Sequence, residues 1–278
     1  MTKGLSTAAL AAHKLIRANL FTEAIPLLTE ALRFAQNDPI LWGQLGLCYS
    51  RLSRYEESLS AVEKSLQLRP NARTYGQKTQ CLLRLERYEE ALESARMQIR
   101  LSGAGYGYGM ESQALRKLGR LDEAVTAALI NVRLTGDTVA LSSLAELYRK
   151  QRKYRRAIEL IEEHISEHQI TFGNRFCLAY ARMNLRQFNL AFDQFQLAKA
   201  LIEINERYIT FNPYLRLHAG MVFLCDFMCR EGWRVPDLFL PELLEAVDWL
   251  KGHRDARFSE YQVKDFLSAL SIIDKHGL

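Results

Sequence analysis

A small residue recurs in phase along this chain, at Ala24, Ser58, Ala91, Ala124, Ala157 and Ala191, in steps of 33 or 34 residues. Three residues before each stands a large apolar or aromatic side chain: Phe21, Tyr55, Tyr88, Leu121, Tyr154 and Phe188. Four residues after come Leu28, Val62, Ala95, Ala128, Ile161 and Phe195. These offsets share one face of an α-helix, so the pattern predicts six helices in one recurring setting. A small residue lets two antiparallel helices approach closely, while its large neighbours fill the space beside the contact. No pair of helices could bury its stripe alone, and stacking pairs makes a continuous core in which each unit depends on its neighbours.

The clearest copy of the period runs from Pro39 to Ala72 and contains Trp42, Leu45, Gly46, Tyr49, Tyr55, Ser58, Val62, Ser65 and Pro70. It closely resembles the tetratricopeptide repeat, with its W-x2-L-G-x2-Y signature, a following aromatic, small and apolar residue, and a closing proline. Ser58 and Ser65 stand in place of the family's usual alanines, and Lys78 and Glu111 fall where a buried leucine is expected. The resemblance covers residues 5–204 and implies an all-α fold: a right-handed α-α superhelix of six helix-turn-helix repeats, the tetratricopeptide solenoid. Beyond Ile204 the period fails. Residues 205–278 read as a helical C-terminal extension of three helices, Pro213–Glu231, Pro236–Lys251 and Asp255–His276, with prolines at starts and glycines at ends, expected to cap the stack. The run SGAGYGYGM, with Gly103, Gly105, Gly107 and Gly109, predicts a late-starting or frayed fourth first helix, read as a flexible connection, or else as a hinge or a place where a ligand backbone approaches closely.

Composition agrees with this reading. The 278 residues are 48% hydrophobic and 25% charged, and fifteen glycines with six prolines are too few for a turn-rich all-β protein of this length. The net charge of +5 is uneven, because residues 237–278 hold eight acids against five Lys/Arg. That weakly favours an anionic partner over the rest of the chain. Five scattered cysteines, at 48, 81, 177, 225 and 229, suggest free thiols in a reducing compartment, and with no apolar run long enough to span a membrane the expected location is the cytoplasm.

In a tetratricopeptide stack the first helices line a concave face that holds peptides or helices of other proteins. The resemblance therefore places a partner-binding groove at Gly43, Gln44, Leu47 and Arg51, then Gly76, Gln77, Gln80 and Arg84. Tyr106, Gly109, Met110, Gln113, Arg116 and Lys117 continue it, followed by Ser142, Glu146, Arg149 and Lys150. Glycines would open room for a backbone, glutamines can bond an extended peptide at donor and acceptor, and the cations favour an acidic partner. The Lys and Asn of the family's chaperone-tail clamp are missing, which disfavours such clients.

A rival surface is the run Arg149, Lys150, Gln151, Arg152, Lys153, Tyr154, Arg155 and Arg156, six basic residues in eight. It could meet an acidic segment or nucleic acid, although no recognised nucleic-acid module accompanies it. His164-Ile-Ser-Glu-His168 matches an inverted zinc-peptidase pattern, but it falls at the end of a repeat helix. Cys225 and Cys229 with His218 are read as core packing. Without a phosphate loop or nucleophile elbow, the expectation is an adaptor or chaperone-like scaffold with no cofactor and no catalytic residue.

Overall fold

The computed structural model describes residues 2–164, 170–204 and 211–252, together with residues 269, 271, 272 and 275. No strand occurs among the described residues. Twelve helices follow one another in pairs: α1 (Thr2–Arg17) with α2 (Phe21–Phe34), α3 (Pro39–Arg51) with α4 (Tyr55–Leu68), and α5 (Ala72–Arg84) with α6 (Tyr88–Ser102). The series continues with α7 (Gly105–Lys117) and α8 (Leu121–Thr135), α9 (Thr138–Lys150) and α10 (Tyr154–His164), and α11 (Phe172–Asn184) and α12 (Phe188–Ile204). Then come α13 (Phe211–Arg230), a 3-10 turn at Asp237–Phe239, and α14 (Leu240–Gly252). Most of the expected third C-terminal helix, Asp255–His276, lies outside the described residues. The chain forms two compact units, Met1–Ala140 and Leu141–Leu278.

The recurring residues act as the period predicts. Ala24, Ser58, Ala91, Ala124, Ala157 and Ala191 are all 0% exposed. Every second helix begins on the large residue three positions earlier. The turn inside each pair has a residue with positive φ, at Asn19, Ser53, Glu86, Gly119, Arg152 and Arg186. This left-handed position reverses the chain between the two helices. At Gly119, with φ +77°, a Cβ would meet nothing within 4 Å, so replacement tests backbone strain alone. Gly119→Ala is expected to cost about 1–2 kcal/mol, read as a lowered urea midpoint; an unchanged midpoint would contradict a left-handed turn.

In the first unit, the serines that replace alanines become clasps between helices. Ser58 Oγ donates to the Gly46 carbonyl at 2.7 Å and lies 3.0 Å from Cys81 Sγ. Ser65 Oγ donates to the Pro39 carbonyl at 2.7 Å and Ser94 Oγ to that of Tyr75 at 3.1 Å. Each buried hydroxyl thus has the partner its burial demands. The charged residues at leucine positions are compensated in the same way: Lys78 pairs with Glu63 at 2.8 Å and Glu111 with Arg96 at 3.0 Å. An ion pair tying α5 to α4, or α7 to α6, stands where the family packs a leucine. First helices are capped by side chains. Asp38 accepts from the Ile40 and Leu41 amides, Asn71 from Thr74, and Asp137 from Ala140.

The glycine-rich run does not loosen the fourth pair. Only Gly103 and Ala104 separate α6 from α7, with Gly103 in the left-handed position that ends α6. The helix begins at Gly105 because Gly105 and Gly107 face neighbours too close for a side chain. A Cβ on Gly105 would stand 2.5 Å from Thr135 Cγ2, and one on Gly107 2.6 Å from Ile99 Cγ1. The expected flexible connection or hinge is therefore a close helix contact.

In the second unit, α11 to α14 share one aromatic core containing Phe172, Phe176, Phe188, Phe192, Phe195, Leu217, Met221, Leu224, Phe239, Leu243 and Leu250. Phe192 and Phe239 stack at 3.8 Å between centroids, which fixes the 3-10 turn against α12. Phe195 meets Phe176 and Tyr180 edge-on, and Gly220 of α13 makes room for its ring. The capping box of Thr171 and Asn174 starts α11.

Candidate partner-binding groove

On the first-helix side of the first unit, α1, α3 and α5 enclose a hollow of about 320 Å³. Gln44, Leu47 and Gln77 line it as the repeat register expects, together with Gly43. His13, Ile16, Pro39, Ile40, Arg69, Asn71, Arg73 and Thr74 complete the wall. Gln44 Nε2 lies 3.3 Å from His13 Nδ1, which links α3 to α1 across the floor. Arg51 and Arg84 are in the last turns of α3 and α5, and Gln80 is exposed in mid-helix; none of the three lines the hollow. On α7, Tyr106 is 71% exposed, Gln113 is exposed, and Met110 and Arg116 are half-buried. The ammonium of Lys117 sits 5.6 Å from the centre of the Tyr88 ring.

At Gly76 and Gly109 the missing side chain makes room for a neighbouring amide, whereas Gly43 lines the hollow and has space for a Cβ. Gly43 faces Ser65, Gly76 faces the Gln98 amide and Gly109 faces Asn131, each on the second helix of its own pair. Those three partners are themselves 33 residues apart, so the pairing belongs to the repeat.

Two family models, each described as a tetratricopeptide repeat, match residues 40–71 and 140–170. These two stretches of the chain carry tetratricopeptide repeats. Among solved structures the chain is similar to a tetratricopeptide repeat protein from Parabacteroides merdae, with a TM-score of 0.62 at 15% identity over 78% of this chain and 84% of that one. It is also similar to pilF of Pseudomonas aeruginosa, with a TM-score of 0.60 at 14% identity over 74% and 96% of the two chains. A third similar structure is YrrB, described as having an unusual peptide-binding site, at a TM-score of 0.50 and 20% identity over 57% of this chain and 83% of that one. At these identities the likeness is one of fold. No curated protein sequence matches the chain.

Charge is sorted by helix in the first unit. Its first helices, α1, α3, α5 and α7, hold a single acid, Glu111, already bound to Arg96. They carry Lys14, Arg17, Arg51, Arg73, Arg84, Arg116 and Lys117 among their cations. The second helices hold most of the other carboxylates, including Glu56, Glu57, Glu63, Glu89, Glu90, Glu93, Asp122 and Glu123, while Asp38, Glu86 and Asp137 lie in the connections. None of the residues lining the hollow is acidic. Such sorting sets a positive potential over the first-helix face.

At the start of α4, α6 and α8 the residue before the helix is an arginine that grips a glutamate of the first turn: Arg54 with Glu57, Arg87 with Glu90, Arg120 with Glu123. The hydrogen bond to arginine holds each glutamate below its ordinary pKa and raises that of the arginine. The pairs lie in solvent, so they organise the surface more than they stabilise the fold.

In the second unit the predicted basic run divides. Arg149 turns inward: it forms a bidentate pair with Glu146 at 2.6 and 2.7 Å and lies 5.5 Å from the Tyr180 ring centre. Burial opposes its charge, but the bonds to Glu146 outweigh that and raise its pKa. Glu146 is thereby committed to this clasp. Ser142 accepts a 2.9 Å bond from Asn174 Nδ2. Lys150 is exposed and engaged in a contact of its own, whereas Arg152, Lys153, Arg155 and Arg156 are exposed at the start of α10.

The residues weighed for metal chemistry do not assemble among the described residues, where no group of three His, Cys, Asp or Glu could hold an ion. His164 is exposed at the end of α10, and His168 lies outside the described residues. His218 is buried and stacks on Trp249 at 4.9 Å, while Cys225 is buried and Cys229 exposed. Burial pushes the Cys48 thiol up to about 11, and those of Cys177 and Cys225 up to about 12, which keeps them protonated and poor nucleophiles at neutral pH. No helix among the described residues is long and apolar enough to cross a membrane.

Proposed function

We propose that this chain is a non-catalytic scaffold that captures an extended segment of another protein on the first-helix face of residues 1–140. Tetratricopeptide folds serve as protein-interaction scaffolds, and the similar structure YrrB is described by its peptide-binding site. The observation that carries the reading is the hollow framed by Gln44 and Gln77, with Arg69 and Arg73 on its wall and no carboxylate among its lining residues. Paired amides can meet both donors and acceptors of an extended backbone, and the two guanidiniums favour carboxylates of the bound segment. Gln80, Arg84, Met110, Gln113 and Lys117 would extend the contact along α5 and α7. Residues 5–204 supply the six repeats, and α13 and α14 close the apolar end of the last pair. Five cysteines without a disulfide support a cytoplasmic setting.

The test is capture from a native cell extract by the wild-type chain and by a variant with Gln44→Ala, Gln77→Ala and Arg73→Glu. Losing two amide contacts and inverting one cation should weaken a captured partner at least about tenfold, with the circular dichroism melt unchanged. A partner retained equally by the folded variant would place the binding surface elsewhere.

A further inference from the structure

The fifth repeat breaks a rule that the three before it keep. Where those have an arginine before the second helix and a glutamate in its first turn, the fifth has Lys153 and Arg156. The neighbouring first-turn acid, Glu56, Glu89 or Asp122 elsewhere, is Arg155, and the left-handed turn residue is Arg152. All four side chains are exposed, and no ion pair joins them to any described residue. Two cations in a helical first turn oppose the helix dipole and forgo the clasp that the other repeats use. Folding alone does not call for this arrangement.

We propose that Arg152, Lys153, Arg155 and Arg156 form a second interaction surface, separate from the groove, that takes a short carboxylate-rich peptide segment. The shape of the charge favours that occupant over nucleic acid. The free cations are confined to five consecutive residues, and one and two turns further α10 carries the carboxylates Glu159 and Glu163. A phosphate backbone running on past the patch would meet those acids, whereas a short run of Asp or Glu ends before them. The only aromatic side chain within the patch, Tyr154, is half-buried and offers no open stacking platform. Arginines and lysines so placed can each take a carboxylate by charge-assisted hydrogen bonds.

The experiment uses the full chain and a fluorescein-labelled hexaglutamate peptide, followed by fluorescence anisotropy at low and physiological salt. The decisive variant restores the pattern of the other repeats, with Lys153→Arg, Arg155→Glu and Arg156→Glu. Because it rebuilds the Arg–Glu clasp, it should melt no lower than wild type while losing at least tenfold in peptide affinity. The same clasp substitutions are also placed in the groove variant with Gln44→Ala, Gln77→Ala and Arg73→Glu, where any share of hexaglutamate held by the groove is already removed and the tenfold loss should persist, so this surface and the groove are tested separately. Failure of the wild type to bind, unchanged affinity in the clasp variant, or loss confined to the groove variant would each overturn the proposal. So would equal binding of a hexathymidylate oligonucleotide, which would mark an unselective polyanion surface.

Discussion

Phe195→Ala should cost about 3–5 kcal/mol of stability in the second unit. Phe195 is 0% exposed and occupies the position four residues after the small mark, where the other repeats have leucine, valine, alanine or isoleucine. In the last repeat that place faces α13 instead of another pair, and the larger ring fills it. Its neighbours have no means of closing the gap. Phe176 and Tyr180 hold it edge-on at 5.8 and 6.0 Å between centroids, and Gly220, whose Cβ would lie 2.5 Å from the ring, has no side chain to move in. Truncation thus leaves a cavity at the junction of α11, α12 and α13. Repeat arrays need not unfold in one step, so the readout should be local. In a Trp42→Phe background the remaining tryptophans, Trp233 and Trp249, both report on the second unit. Their fluorescence transition in urea should shift by that amount, and a shift below about 1 kcal/mol would deny the ring its place in the core.

The fold is legible in the sequence because its period is written in side-chain size, which close helix packing constrains directly. Each second helix starts on the residue three before the mark. The turns are not legible by the same route. Asn19, Ser53, Glu86, Gly119, Arg152 and Arg186 share a backbone conformation and no side-chain property, so only the period itself locates them. Of the first-helix caps, Asp38, Asn71, Asp137 and Thr171 keep the repeat step, a signal that is present in the sequence. The groove is half legible. Carrying the register of Leu47 and Arg116 back into the first repeat gives His13 and Ile16, and carrying Tyr106 back gives Arg73 and Ile40. The basic run is shorter as a surface than as a sequence, since Glu146 stands three residues before Arg149, a spacing at which helical side chains pair. Most opaque are the glycines, because whether a missing side chain makes room for a ligand or for a neighbouring helix depends on what stands opposite.

That ambiguity yields the second large effect. In Gly105→Ala with Gly107→Ala, two forces of opposite sign compete. Helix propensity alone favours alanine by about 0.5–1 kcal/mol at each site, and if the run were a flexible connection or hinge the double variant would be more stable. Packing opposes it. The new methyl at position 105 would stand 2.5 Å from Thr135 Cγ2 and 3.2 Å from Leu134 Cβ, and that at 107 would stand 2.6 Å from Ile99 Cγ1 and 3.4 Å from the Ile99 amide nitrogen. The branched Thr135 and Ile99 side chains are stiff at their first torsion and cannot swing clear freely, and overpacking of this kind costs about 1–3 kcal/mol per site. Steric crowding therefore outweighs helix propensity, giving a net loss of up to about 5 kcal/mol, centred on about 2.5 kcal/mol, in chemical denaturation. Gly173→Ala supplies the internal control. It lies in the first turn of α11, where the nearest atom to a new Cβ is Thr171 Oγ1 at 3.6 Å, so helix propensity acts there without the clash. Stability should stay level or rise at 173 and fall at 105 and 107; a rise at both would return the glycine run to the role of a hinge.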